Sequence, residues 1–134
     1  MTYLVDTSAL VRIARRQVDQ RWHELVKRGL IVACEPVITE MLATADAKSY
    51  ERVENDILAA YPWVPVPDDV WDEVRALRRE LAGHSQHQGL SVADYLVVAT
   101  ALRRNLVVLH EDADFETAAR IVPRLRQERI STPP

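Results

Sequence analysis

Residues 89–102, GLSVADYLVVATAL, carry the strongest constraint in the chain. Val92, Ala93, Leu96, Val97, Val98, Ala99, Ala101 and Leu102 make a helix here apolar almost all the way round. Such a helix is buried on every side. Its first turn nevertheless contains a carboxylate, Asp94, and a charge there is costly unless something pairs with it. Two explanations fit. Ser91 and Asp94 have the spacing of a capping box, in which each side chain satisfies the other's backbone N–H. Alternatively, Asp94 is one wall of a metal site. Asp94 alone does not choose between them.

A helix of this kind needs layers on several sides, and the rest of the chain supplies them. Tyr3-Leu4-Val5, residues 30–33 and residues 106–109 are short apolar runs without alternation, the pattern of strands covered on both faces. Residues 62–67, PWVPVP, predict a short strand near a sheet edge because of their prolines. Arg129-Ile130-Ser131 predicts a last strand. Helical patterns alternate with these runs. One covers residues 9–15, capped by Thr7 or Ser8; another follows Asp19, carries Trp22, Leu25 and Val26, and stops at Gly29. A third follows Pro36 and bears Glu40 among Val37, Ile38, Met41 and Leu42. Residues 46–61 form an amphipathic fourth, and Asp68 or Asp69 caps a fifth that closes at Gly83. A short helix around Ala118 follows the strand at 106–109. This alternation predicts an α/β fold, a central and mostly parallel sheet flanked by helices on both faces. The length, 134 residues, predicts a single domain over 1–134.

Cys34 is the one cysteine, so no intrachain disulfide is expected. No apolar run approaches a membrane span and the N-terminus has no signal-peptide pattern, so a cytoplasmic setting without membrane contact is expected. The formal charge of −3 argues weakly against nucleic acid. That argument fails if several carboxylates are counter-charged by metal, because the remaining surface is then slightly basic and its Arg residues are clustered.

In an open parallel sheet, ligands bind outside the carboxyl ends of the strands. Asp6 directly follows the first strand, and Asp112 and Asp114 follow the strand at 106–109. Glu40 lies in the first two turns of the helix after the second strand. The buried helix runs back into a parallel strand, so its first turn, with Asp94, starts at that same rim. Separate segments therefore bring acids to one edge. Oxygen-only ligands suit Mg²⁺ or Mn²⁺ and suit zinc poorly. Such an ion activates water and stabilises charge developing on a phosphate.

Val5-Asp6-Thr7-Ser8-Ala9-Leu10, Glu40, Ser91-Val92-Ala93-Asp94-Tyr95-Leu96-Val97-Val98-Ala99-Thr100-Ala101 and Asp112-Ala113-Asp114-Phe115 together resemble a PIN domain of the VapC toxin type, from bacterial VapBC toxin–antitoxin modules. The resemblance runs over essentially the whole chain. It implies a Mg²⁺-dependent endoribonuclease, with Mn²⁺ as the other ion, whose catalytic and metal-binding acids are Asp6, Glu40, Asp94 and Asp112. It implies that the hydroxyl of Thr7 or Ser8 supports the first Asp. Asp112 and Asp114 both fit the fourth acid; Asp112 is favoured because it is nearer the strand, with Asp114 left to cap or orient the final helix. The resemblance further implies tRNA or rRNA substrates, a homodimer, a cognate VapB antitoxin that blocks the acidic pocket, and assembly on operator DNA through that antitoxin.

Arg12, Arg15 and Arg16 follow Asp6 closely and are candidate contacts to RNA phosphates; His110, beside the acids, is another. His84 and His87 lack further ligands and are expected in a solvated loop. Trp22, Trp63 and Trp71 are expected in the core or a dimer interface. Two other functions compete. A receiver-like α/β domain also places acids after its first strand, but no Lys follows residues 106–109. A catalytically inactive PIN-like RNA-binding module would not need all four acids.

Overall fold

The computed structural model describes residues 1–134. Its elements in order are β1 (Tyr3–Val5), α1 (Thr7–Ala14), α2 (Gln20–Lys27), β2 (Ile31–Val32), α3 (Glu35–Ala43), α4 (Tyr50–Ala60), α5 (Val70–Ala82), α6 (Val92–Arg104), β3 (Val107–His110), α7 (Ala113–Ile121) and β4 (Gln127–Arg129). The four strands form one sheet in the order β2-β1-β3-β4, and every pairing is parallel. β1 aligns Tyr3, Leu4 and Val5 with Val107, Val108 and Leu109 of β3. Each of these six residues is buried, as expected of strands covered on both faces.

The order of the strands decides where a ligand can bind. From β1 the chain moves outward to β2, and from β3 it moves outward in the opposite direction to β4. The two central strands are therefore neighbours whose following helices diverge. In open parallel sheets this divergence marks the carboxyl ends of the two strands as the edge where ligands bind. The backbone N–H of Asp6 donates to Leu109 O at 2.9 Å, extending the β1–β3 ladder into this rim.

α6 packs against α5, α3 and β3. Tyr95, Val97, Val98, Ala99, Thr100 and Ala101 are buried. The expectation of burial on every side is met only in part: Val92 in the first turn is 67% exposed, Leu96 and Leu102 are half-buried, and Arg103 and Arg104 at the end are exposed. Asn105 ends the helix in the left-handed region at φ 58°, a conformation Asn tolerates well. Trp22 lies in the core, edge-on to Tyr3 with ring centres 5.2 Å apart. Trp63 and Trp71 are not core residues: they are 52% and 51% exposed. No helix is long and apolar enough to cross a membrane.

Several boundaries differ from expectation. Residues 62–67 form no strand and make a single parallel bridge, Ala33 to Trp63, because prolines cannot donate to a ladder. α4 begins at Tyr50 rather than 46, since Asp46 instead accepts the Ser49 N–H in a preceding turn. The last strand is 127–129 rather than 129–131. α1 is capped by Asp6, not by Thr7 or Ser8: the Asp6 carboxylate accepts the Ser8 N–H.

One buried polar atom has no partner, the hydroxyl of Thr100 inside α6. An unsatisfied buried hydroxyl costs about 1 kcal/mol or more. Thr100→Val is expected to raise the free energy of unfolding by about 1 kcal/mol in urea titration. A loss of stability would show that the hydroxyl has a partner.

Candidate active site at the β1–β3 rim

Four acids from four segments lie toward the β1–β3 rim, near enough for their charges to interact. Asp6, at the end of β1, is only 4% exposed. Its Oδ2 accepts from the Ser8 N–H at 3.1 Å and the Ser8 hydroxyl at 2.7 Å. Ser8 Oγ in turn accepts the Glu111 N–H at 2.9 Å, which ties the turn after β1 to the turn after β3. Asp94 and Ser91 form the reciprocal capping box, each N–H 3.1 Å from the other's side-chain oxygen. Glu40 Oε1 accepts from the Thr7 hydroxyl. Asp112 caps α7, its Oδ1 accepting the Asp114 N–H at 2.9 Å.

The two hydroxyls after Asp6 thus divide their work: Ser8 supports Asp6, whereas Thr7 reaches across to Glu40. A local reading of the sequence missed the second contact because residues 7 and 40 meet only once α1 and α3 pack together. The cap of α7 is Asp112 and not Asp114. Asp114 is exposed and lies beside Gly89, where an added Cβ would sit 3.7 Å from its Oδ1.

In each of the four acids one oxygen is fixed by a protein donor and the other has none. The fixed atoms are Asp6 Oδ2, Glu40 Oε1, Asp94 Oδ2 and Asp112 Oδ1. The acids also feel one another. Burial pushes the Asp6 carboxyl up to about 6 against the opposing bonds from Ser8, with Asp94 and Glu40 adding repulsion. Asp94 is raised first by burial and then by Asp112 and Glu40. Asp114 is raised by burial and by Asp112. The repulsion therefore links Asp6, Glu40, Asp94 and Asp112 into one electrostatic unit.

Even so, no three Asp, Glu, His or Cys side chains close around a common point able to hold a metal ion. The donor set still fits a hard dication. Mg²⁺ keeps several waters and is commonly held by one or two carboxylates together with substrate phosphates. Two direct oxygens and water-bridged contacts to the others need no closed cage. Beside Glu40 runs an open groove lined by Pro36, Val66, Val92, Ala93 and Leu96.

The other candidates divide. Arg12, Arg15 and Arg16 are exposed, at the end of α1 and just beyond it. His110 is fully buried with both ring nitrogens engaged, so it has no surface to offer RNA. His84 and His87 lie exposed in the loop before α6.

The family model of the PIN domain matches residues 3–121. Ribonuclease VapC6 of Mycobacterium tuberculosis is 38% identical over 99 residues, covering 73% of this chain and 78% of that relative. Ribonuclease VapC21 of the same species is 31% identical over 124 residues, covering 89% and 87%. Among solved structures, VapBC2 from Rickettsia felis bound to a DNA fragment from their promoter has the same fold. It aligns with a TM-score of 0.72 at 20% identity, covering 96% of this chain and 98% of that one. By the family-model match and by similarity to these ribonucleases, the chain belongs to the PIN-domain family.

Proposed function

We propose that this chain is the toxin of a type II toxin–antitoxin pair and acts as a divalent-metal-dependent endoribonuclease. The observation that carries the reading is the shared design of Asp6, Glu40, Asp94 and Asp112: one oxygen anchored, one left without a protein donor. Acids serving only as caps would not need to gather toward one rim and repel one another. Similarity to ribonucleases VapC6 and VapC21 supports RNA as the substrate, and the family resemblance implies tRNA or rRNA as its class.

Asp6, Glu40, Asp94 and Asp112 would hold Mg²⁺ or Mn²⁺, which would lower the pKa of a water and offset charge developing on the scissile phosphate. The protein residues prepare that site. Ser8 and Thr7 orient Asp6 and Glu40, and the capping box fixes Asp94. Arg12, Arg15 and Arg16, exposed at the end of α1 and just beyond it, would bind flanking phosphates. The DNA-bound VapBC2 assembly supports a VapB-type antitoxin as partner, with operator DNA reached through it. The exposed Trp63 and Trp71 support a homodimer, since aromatic residues are enriched at interfaces.

Asp6→Asn and Asp94→Asn are each expected to reduce Mn²⁺-dependent cleavage of total RNA by about 100-fold or more, because removing a metal ligand removes several kcal/mol of transition-state stabilisation. They should also relieve growth arrest on induction. Full cleavage and toxicity in both variants would overturn the reading.

Asp6 also makes a prediction opposite in sign for stability. Its folded pKa, about 6, lies above the ordinary 3.8, so the folded state holds this proton more tightly than the unfolded chain. The metal-free protein is therefore destabilised as pH rises from about 4 to 6, and the loss is complete above 6. Asp6→Asn, an equally good helix cap, is expected to unfold at a higher temperature than wild type at pH 7.5 without metal. The advantage should vanish at pH 4 and shrink when Mn²⁺ is added to both proteins. A destabilised variant at pH 7.5 would contradict the electrostatic account.

A further inference from the structure

We propose that His110 is a positioning residue for Asp112, acting through the backbone of the turn after β3; its consequence for metal binding rests on the nuclease reading above. His110 is fully buried at the end of β3. Its Nδ1 accepts the Asp112 N–H at 3.0 Å. A nitrogen that accepts carries no proton, so the proton sits on Nε2, which donates to Gln127 Oε1 at 2.6 Å. One neutral tautomer is therefore specified from both ends. Across the ring, Phe115 of α7 packs with its centre 5.1 Å away.

Core packing alone does not need an imidazole here; the other β3 residues, Val107, Val108 and Leu109, are aliphatic. What the imidazole adds is an acceptor for an N–H that α7 cannot satisfy, because Asp112 is the cap and its N–H points away from the helical ladder. The Asp112 amide is then held by His110, and its Oδ1 is held by the Asp114 N–H. With backbone and one oxygen both fixed, Oδ2 has little freedom in where it points.

The neighbouring contacts stiffen the same turn. The Ile130 N–H donates to His110 O at 2.8 Å. Glu111 accepts from Arg129 Nη1 at 2.8 Å, the Ser131 N–H at 3.0 Å and the Ser131 hydroxyl at 3.1 Å. Its own N–H goes to Ser8, the residue that supports Asp6. β4 and the segment after it thus brace residues 110–112, with His110 as the part that reaches Asp112. Groups that orient a metal ligand typically govern affinity by about 10–100-fold.

Three substitutions separate positioning from packing. Asn places its Oδ1 where His has Nδ1 and so keeps the acceptor for Asp112. Gln places its amide nitrogen near the position of Nε2, keeping the Gln127 contact and losing the acceptor. Phe keeps ring volume and loses both. The measurements are hydrogen exchange of the Asp112 amide by NMR, Mn²⁺ affinity by titration, RNA cleavage, and thermal unfolding, all on the full chain. His110→Asn is expected to bind Mn²⁺ within about threefold of wild type, and His110→Gln and His110→Phe about tenfold or more weakly. Asp112 amide exchange should speed up in Gln and Phe but not in Asn, whatever the order of their unfolding temperatures. Equal Mn²⁺ affinity in all three, or losses that simply follow lost stability with Asn as weak as Phe, would overturn the proposal. If the ring variants do not fold, Gln127→Leu, on the half-buried β4, removes only the acceptor for Nε2. It should speed Asp112 exchange and weaken Mn²⁺ binding, and wild-type behaviour in both would overturn the proposal. A wild-type protein that does not cleave RNA defeats the nuclease reading, and the Asp112 exchange comparison still decides the role of His110.

Discussion

The parallel pairing of β1 with β3 is the constraint on which the other features depend. Their ladder reaches as far as the Asp6 N–H on Leu109 O, so the residues just beyond each strand emerge side by side. The helices that follow diverge, which marks the two strand ends as the edge where ligands bind. Without that adjacency Asp6 and Asp112 would belong to separate surfaces. α6 completes the arrangement. Its body packs against β3, α3 and α5, which fixes its first turn near the same rim and keeps Asp94 within electrostatic reach of Asp112 and Glu40.

A rim built this way carries its own electrostatic cost. Asp6 is nearly buried and raised to about 6, and Asp94 is raised as well. Natural proteins keep such conflicts where function requires them. Local hydrogen bonds hold the conflict in place: Ser8, Thr7, Ser91 and the Asp114 N–H each fix one oxygen. They do not neutralise the charge. The free oxygens on the same four acids are where a dication would do so, with water and substrate phosphate able to complete its shell.

Much of this was readable from residue order. Short apolar runs alternating with helical periods define a parallel sheet, and an acid directly after such a run lands at the carboxyl rim. The Ser91–Asp94 spacing gave the capping box, which the structure shows, while the apolar residues behind it gave the burial of the helix body; the metal reading of Asp94 belongs to the proposed function. What was not readable depends on contacts between distant segments. Thr7 meets Glu40 only through the packing of α1 on α3. His110 looks like a surface histidine beside acids until β4 covers it and Gln127 takes its Nε2 proton. Residues 62–67 have a strand's composition, but their prolines leave one bridge. Asp112 and Asp114 both fit the motif, with Asp112 nearer the strand; that Asp112 rather than Asp114 caps α7 is visible only in the structure.

The most direct test of the shared pocket is anomalous diffraction from crystals of the full chain grown with Mn²⁺ at pH 7.5. An anomalous peak is expected at the β1–β3 rim, within about 2.3 Å of oxygens of both Asp6 and Asp94. Glu40 and Asp112 should be reached directly or through one water. Manganese bound elsewhere on the chain with none at this rim would contradict it.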